Sequence, residues 1–408
     1  MLILPLRSLR SSKPKPMPRY LTSAEAAAQL GVSRQTLYAY VSRGLLHAHD
    51  GETHRESRYL ADDVARLAGQ RTRGRKPREV AKATLSWGLP VLESGITLIE
   101  DGRLYYRGAD AVALAASNTV EAVAALLWQC SPDAAFGAAP PVPAQLAAMQ
   151  AALAGRRSEE TLLPLFTIAS EDDPTAQWQR SPERLAEGCG VLVRLLAACL
   201  LGTSPASAPV HAQCANAWQV DEEGADLIRM ALVLCADHEL NASSFTARCV
   251  ASTGASLRAS VVGGLAALTG GLHGGATARV EALWDALGDA PPASKLRERL
   301  ARGEDLPGFG HHLYPAGDIR ASGLLARILP HHPQWQAFID DAFALAGQRP
   351  SIDFALVALR RHLRLPPGAA FGMFALGRAI GWIAHGLEQR ANAELIRPRA
   401  AYIGPRPG

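Results

Sequence analysis

From Val112 onward, apolar residues recur at helical spacing, and this periodicity constrains the fold more than any other feature of the chain. It predicts helices over 120–129, 144–154, 183–201, 222–236, 255–268, 278–287 and 371–388. Clusters of Pro and Gly at 137–143, 202–209 and 288–292 separate several of them. The 408 residues are 48% hydrophobic but only 6% aromatic, which suits a large helical core rich in Ala and Leu. The length predicts two or three folding units. The apolar run 191–201 carries Arg194 and is too short to span a bilayer.

Ahead of the helices, residues 85–106 alternate weakly. Ile96 to Ile99, an Asp101-Gly102 turn, and Leu104 to Tyr106 read as a β-hairpin. None of the six cysteines forms a CxxC pair. They read as reduced, buried small hydrophobes of a cytoplasmic protein.

Residues 237–276 hold the most unusual chemistry. The stretch opens on an acid–His–acid cluster, Asp237-His238-Glu239, and closes on His273 among Gly270, Gly271, Gly274 and Gly275. Glycines beside a histidine let backbone approach a ligand, because no Cβ intervenes. The plainer alternative is a histidine in a Gly-rich turn between helices. Downstream come Pro307-Gly308-Phe309-Gly310-His311, Asp318-Ile319-Arg320, Ser351-Ile352-Asp353-Phe354, Gly377-Arg378-Ala379-Ile380-Gly381 and Ile396-Arg397-Pro398-Arg399. With Gly271-Leu272-His273-Gly274-Gly275-Ala276, these elements resemble, in order, those of the citrate synthase family over roughly 88–404. The resemblance implies a mainly α, two-domain helical body. Its large domain would take 84–270 and 364–408, and its small domain 271–363.

It also implies a condensation of acetyl-CoA with oxaloacetate giving citrate and CoA. That chemistry needs a base for a weakly acidic methyl proton, a donor to the enol oxygen, an acid toward the ketone, and cations for a dicarboxylate. By resemblance Asp353 is the base, His273 the enol stabiliser and His311 the acid. His238, Arg320, Arg378 and Arg397 bind oxaloacetate, with Arg397 reaching a partner subunit's site in a homodimer. Leu306, Pro307, Gly308, Phe309 and Gly310 contact CoA, which is a substrate rather than a cofactor. Read without the family, Asp353 is a lone acid between Ile352 and Phe354, a setting that makes a carboxylate more basic, but on the residues alone a helix N-cap is the better reading. Arg378 shares a helical face with Trp382 and His385, opposite Ile380, Ile383 and Leu387. His331 and His332 lie between prolines and read as exposed. No metal cluster of suitable spacing is visible. Pro315, Ile319 and Ser351 replace the family's usual Lys, Pro and Asn, and His312 its frequent Arg.

Net charge is +4, but residues 1–79 carry +8 and the remainder −4. Residues 1–19 read as a disordered basic tail and 70–83 as a basic linker. Between them, 20–69 reads as a winged helix-turn-helix. Thr22 and Glu25 form a capping-box pattern, Gly31 ends the first helix, and Ser33 caps a second, 34–43. Residues 47–59 have the length and polarity of a wing. The unit resembles the winged helices of excisionases and mercury-resistance regulators. That likeness places Ser33, Arg34, Gln35 and Tyr38 on a recognition helix and Arg55 and Arg58 on the wing, with DNA as partner. The unit itself is −1, so a helical interaction domain is the alternative. Two further readings stay open: a 2-methylcitrate synthase using propionyl-CoA, and a transcription regulator whose synthase-like domain senses a metabolite.

Overall fold

The computed structural model describes residues 92–288, 292–400 and 402–405, and nearer the N-terminus 20–30, 32, 34–42, 46, 48–50, 57–61 and 63–64. The tail 1–19, the linker 70–83, Ser33, Arg55 and the side chains of Arg34 and Gln35 lie outside the described residues. The chain divides into two compact units, Met1–Leu92 with Ala400–Gly408, and Glu93–Arg399.

In the first unit, helices Ser23–Leu30 and Arg34–Ser42 accompany a three-stranded antiparallel sheet. Ser57–Leu60 is the central strand, between Tyr20–Thr22 and Ala48–Asp50. The capping box forms as the sequence predicts: Glu25 Oε2 accepts the Thr22 N–H at 2.8 Å, and Thr22 Oγ1 accepts the Glu25 N–H at 3.3 Å. Leu21, Ala26, Leu30, Leu37, Leu46, Tyr59 and Val64 bury themselves together. The predicted wing supplies two of the strands. Tyr20–Thr22 was not expected, because three residues are too few to show alternation.

In the second unit the expected helices are present as Val120–Trp128, Leu146–Ala152, Pro182–Leu201, Glu222–Leu234, Leu257–Leu268, Ala276–Leu287 and Ala369–Asn392. Helices Ser158–Ala169, Ala242–Ser252, Ile319–Ile328, Pro333–Ala346 and Ile352–His362 join them. The hairpin pairs Thr97–Glu100 with Arg103–Tyr106. Its turn residues Asp101 and Gly102 have φ of 51° and 72°, the left-handed values that a tight two-residue hairpin turn requires. All six cysteines are free, four of them buried. Among the described residues no helix is long and apolar enough to cross a membrane.

Ala369–Asn392 is the central helix. The Arg378/Trp382/His385 face is buried, and so are Ile380 and Ile383 opposite it, because helices Glu222–Leu234, Ala242–Ser252 and Leu257–Leu268 all pack against this helix. Gly381 makes a close approach to the end of Glu222–Leu234. A Cβ there would lie 2.3 Å from Asp237 Oδ1, and its N–H donates to the Ala236 carbonyl at 2.9 Å. This contact lays Arg378 against the end of Glu222–Leu234.

Candidate active site

His238 follows that helix end in a turn braced from behind by the hairpin. Thr97 Oγ1 donates to Asp237 Oδ2 at 2.6 Å, and the Tyr106 hydroxyl lies 3.1 Å from the Val233 carbonyl oxygen and 3.2 Å from that of Asp237. His385 Nε2 lies 3.3 Å from Asp237 Oδ1. Burial works against the Asp237 charge, but His385 and Arg378 outweigh it and hold the carboxyl below its ordinary range.

His273 sits in the loop after Leu257–Leu268. A Cβ on Gly274 would meet Leu268 Cγ at 2.4 Å, and one on Gly275 the Thr269 carbonyl oxygen at 2.8 Å. These two glycines are therefore required by the loop's own fold against the helix end, whereas a Cβ on Gly271 would meet nothing within 4 Å. His273 Nε2 lies 2.7 Å from Ser243 Oγ, which also accepts the Trp382 indole N–H at 3.0 Å.

The Leu306–Gly310 loop is clamped to the residues before Asp353. The Gly310 N–H donates to the Arg349 carbonyl at 2.8 Å, and the Ser351 N–H to the Gly308 carbonyl at 2.7 Å. The Phe309 and Phe354 rings pack 4.9 Å apart. Leu306, Pro307 and Phe309 are buried, so Gly308 and Gly310 are the accessible members of the loop. A cavity of about 140 Å³ lies beside it, lined in part by Gly310, His311, Tyr314, Gly317, Gln348 and Arg349.

Asp353 lies in the first turn of Ile352–His362 but does not cap it. Ser351 holds the N-cap position, and Asp318 Oδ2 accepts the Ile352 N–H at 3.0 Å. Asp353 Oδ1 is buried with no hydrogen-bond partner among the described residues, and Oδ2 accepts from the Ser351 hydroxyl at 3.4 Å. Burial pushes its carboxyl up to about 6, against the opposing pull of Arg320. The N-cap alternative thus gives way to a buried acid that caps nothing.

Three imidazoles and two guanidiniums complete the cluster. The His238 and His311 ring centroids are 5.1 Å apart, and Tyr314 joins both, its hydroxyl 3.0 Å from His238 Nε2. Burial lowers His273 and His311 to about 4, helped by Arg378 and Arg320 respectively, and lowers His238 well below its ordinary value. All three are neutral near pH 7. Tyr314 is pushed up to about 12 by burial and keeps its proton. The Leu313 N–H donates to His311 Nδ1 at 3.2 Å, which places the ring proton of neutral His311 on Nε2.

Arg320 forms a fork with Asp318, Nε to Oδ1 at 2.9 Å and Nη2 to Oδ2 at 2.8 Å; burial opposes its charge, but Asp318 raises its pKa above the ordinary value. Arg378 donates from Nε to the Cys235 carbonyl at 2.8 Å and lies over the Phe374 ring. Its Nη2 is buried with no partner among the described residues. A buried guanidinium with an unpaired N–H is costly unless an acceptor joins it.

His238, Tyr314, His311, Arg320, Arg378, His273 and Asp353 are thus linked through direct contacts and shared neighbours. Arg397 is exposed in the segment after the last helix and makes none of these contacts. Tyr314 was not singled out from the sequence; its one signal is an aromatic three residues after His311. In the N-terminal unit Tyr38 is exposed on its helix, and Arg58 lies on the central strand opposite His49.

Residues 84–399 match the family described as citrate synthase, C-terminal domain, and residues 20–72 match a helix-turn-helix domain. A citrate synthase of Haloferax volcanii is 36% identical over 200 residues, 46% of this chain and 53% of that protein. A 2-methylcitrate synthase of Shewanella oneidensis is 28% identical over 391 residues, 85% of this chain and 97% of that one. The solved citrate synthase of Thermotoga maritima superposes with a TM-score of 0.66 at 25% identity, covering 79% of this chain and 95% of that one. The chain spans about half the length of the curated relatives that it matches at 36–38% identity.

Proposed function

Since the chain belongs to the citrate synthase family, we propose that it condenses acetyl-CoA with oxaloacetate and hydrolyses the thioester to citrate and CoA. One observation carries this reading: Asp353 is spared from capping, unpartnered at Oδ1, and raised to about 6. A protein that only sensed a dicarboxylate would need the arginines but no such base, which weighs against the sensor alternative.

In the proposed reaction Asp353 takes a proton from the acyl carbon next to the thioester carbonyl. His273, its Nε2 facing the Ser243 hydroxyl at 2.7 Å, stabilises the enol oxygen from the other side of its ring. The enol carbon attacks the ketone carbon of oxaloacetate, and His311 gives its Nε2 proton to the ketone oxygen. Arg378, Arg320 and His238 hold the dicarboxylate. A bound dianion raises the proton affinity of the neighbouring histidines, so oxaloacetate binding makes His311 a better acid. Water then cleaves the thioester and CoA leaves as the thiol. No further cofactor is called for. The test is thiol release by the purified protein with oxaloacetate and either acetyl-CoA or propionyl-CoA. Preference for propionyl-CoA would make it a 2-methylcitrate synthase, and turnover with neither would overturn the enzymatic reading.

The same proposal extends to assembly and to the N-terminal unit. Arg397, exposed in its own chain, serves the site of a second copy in a homodimer. The helix-turn-helix domain binds duplex DNA, a reading supported by its two helices, its strand-paired wing and the basic tail and linker flanking it.

A further inference from the structure

A second cavity, of about 390 Å³, opens on the Glu93–Arg399 unit and is lined by Trp284, Trp335, Arg360, Arg361, Arg364 and Leu365. Its volume is typical of small-molecule pockets, about 300–1,000 Å³. The arginines lie at and beyond the C-terminal end of Ile352–His362, about 10 Å along that helix from Asp353 at its start. None of these residues belongs to the site already described.

The arginines are unequally engaged. Arg361 is neutralised by Glu281, at 2.6 Å and 3.0 Å, and by Asp285. Arg360 reaches Glu281 only at 3.7 Å, and its Nε–H is buried with no hydrogen-bond partner among the described residues. Arg364 makes no ion pair or side-chain hydrogen bond among the described residues. Three guanidiniums therefore face two carboxylates, and the surplus charge sits at Arg360 and Arg364.

The backbone adds an independent observation. Arg364 has φ of 54°, the left-handed conformation just past a helix, where glycine is usual. The helix dipole accounts for Arg360 and Arg361 in the last turn. It does not account for a long side chain in a conformation that Cβ disfavours. What that residue adds is a third guanidinium at the cavity. The tryptophans agree with an anion. Trp284 stacks on Phe354 at 4.9 Å and lies under Arg361, and Trp335 stacks on His332 at 3.6 Å. Those faces are taken, and ring edges carry partial positive charge.

We propose that this cavity binds a small organic phosphate, up to the size of a nucleoside diphosphate, with its phosphate oxygens on Arg360 and Arg364. The guanidinium fork matches phosphate oxygens, and such a ligand satisfies the orphaned Arg360 Nε–H. The test is calorimetric titration of the full chain with pyrophosphate and with ADP, in saturating CoA so that the thioester site is occupied, and with citrate as a carboxylate control. The expected result is saturable binding of pyrophosphate or ADP, one per chain, weakened about tenfold or more by Arg364→Gly and by Arg360→Gln. Arg364→Gly should melt no lower than the parent, since glycine adopts this backbone freely. Absence of saturable binding overturns the proposal. So does undiminished binding in both variants, and citrate binding that both variants weaken as much as they weaken pyrophosphate binding removes the phosphate assignment. No turnover is read, so failure here leaves the proposed condensation untouched.

Discussion

Asp318 Oδ2 accepts the backbone N–H of Ile352 at 3.0 Å, across thirty-four residues of sequence. The same carboxylate accepts the Arg320 N–H at 3.1 Å and grips its guanidinium. One buried acid thus caps two helices and anchors a cation, and Asp353 is released from the task that its place in a first turn suggests. The chemistry assigned to Asp353 depends on that division of labour.

Asp353→Asn should therefore fold normally, bind oxaloacetate and lose turnover by about a hundredfold or more. Steady-state rates and calorimetry with oxaloacetate check both halves. Near-normal turnover would return Asp353 to a structural role.

Tyr314→Phe removes the hydroxyl that hydrogen-bonds His238 Nε2 at 3.0 Å while keeping the ring that packs against His311. A net hydrogen bond of about 1 kcal/mol corresponds to roughly a fivefold loss of affinity. The KM for oxaloacetate should rise by about that factor, with kcat changed less. An unchanged KM would mean that the hydroxyl does not position His238 for substrate.

Activity should depend on pH through Asp353. Its carboxyl titrates at about 6, and only the ionised form accepts a proton, so kcat/KM should fall roughly tenfold per unit below that pH. Stability should move in the same direction. His273 and His311 titrate near 4 in the folded chain, against an ordinary 6.5. Between those values the unfolded chain binds two protons that the folded chain refuses, so their contribution is full above 6.5 and is lost as pH falls toward 4. Asp353 runs the opposite way between 3.8 and about 6, and Glu239, raised by burial, runs with it. Melting temperature measured across pH 7 to 4 should decline, and a flat profile would contradict these shifts.

Arg397→Ala should raise the oxaloacetate requirement sharply with the fold intact, since losing a desolvated charge partner costs about 2–5 kcal/mol. Mixed with Asp353→Asn, it should regain activity on subunit exchange. If Arg397 acts across the interface, one site of each heterodimer then carries neither lesion. Exchange confirmed by mass, without recovery, would confine Arg397 to its own subunit or to no site.

DNA binding by the N-terminal unit should weaken steeply as salt rises, because contacts to phosphate release counterions. Arg58→Ala should reduce affinity across sequences without changing preference. Gel shifts with the protein's own upstream region, showing neither specific nor salt-sensitive retention, would make the unit an interaction module.

The helical body was legible in sequence because apolar period reports burial directly. The Asp101-Gly102 hairpin and the Thr22/Glu25 capping box were legible for a related reason: turn and cap chemistry is local. His238, His273, His311, Asp353, Arg320 and Arg378 could be named from short motifs, yet nothing in those motifs says what each side chain faces. Only the tertiary structure decided that Asp318, not Asp353, caps Ile352. It alone turned Tyr314 toward His238, left Arg378 Nη2 and Arg360 Nε without partners, and buried both faces of Ala369–Asn392. Each outcome depends on groups far apart in the chain meeting in a dry interior, where desolvation sets protonation and an unpaired donor is costly; residue order encodes local geometry, whereas packing selects partners.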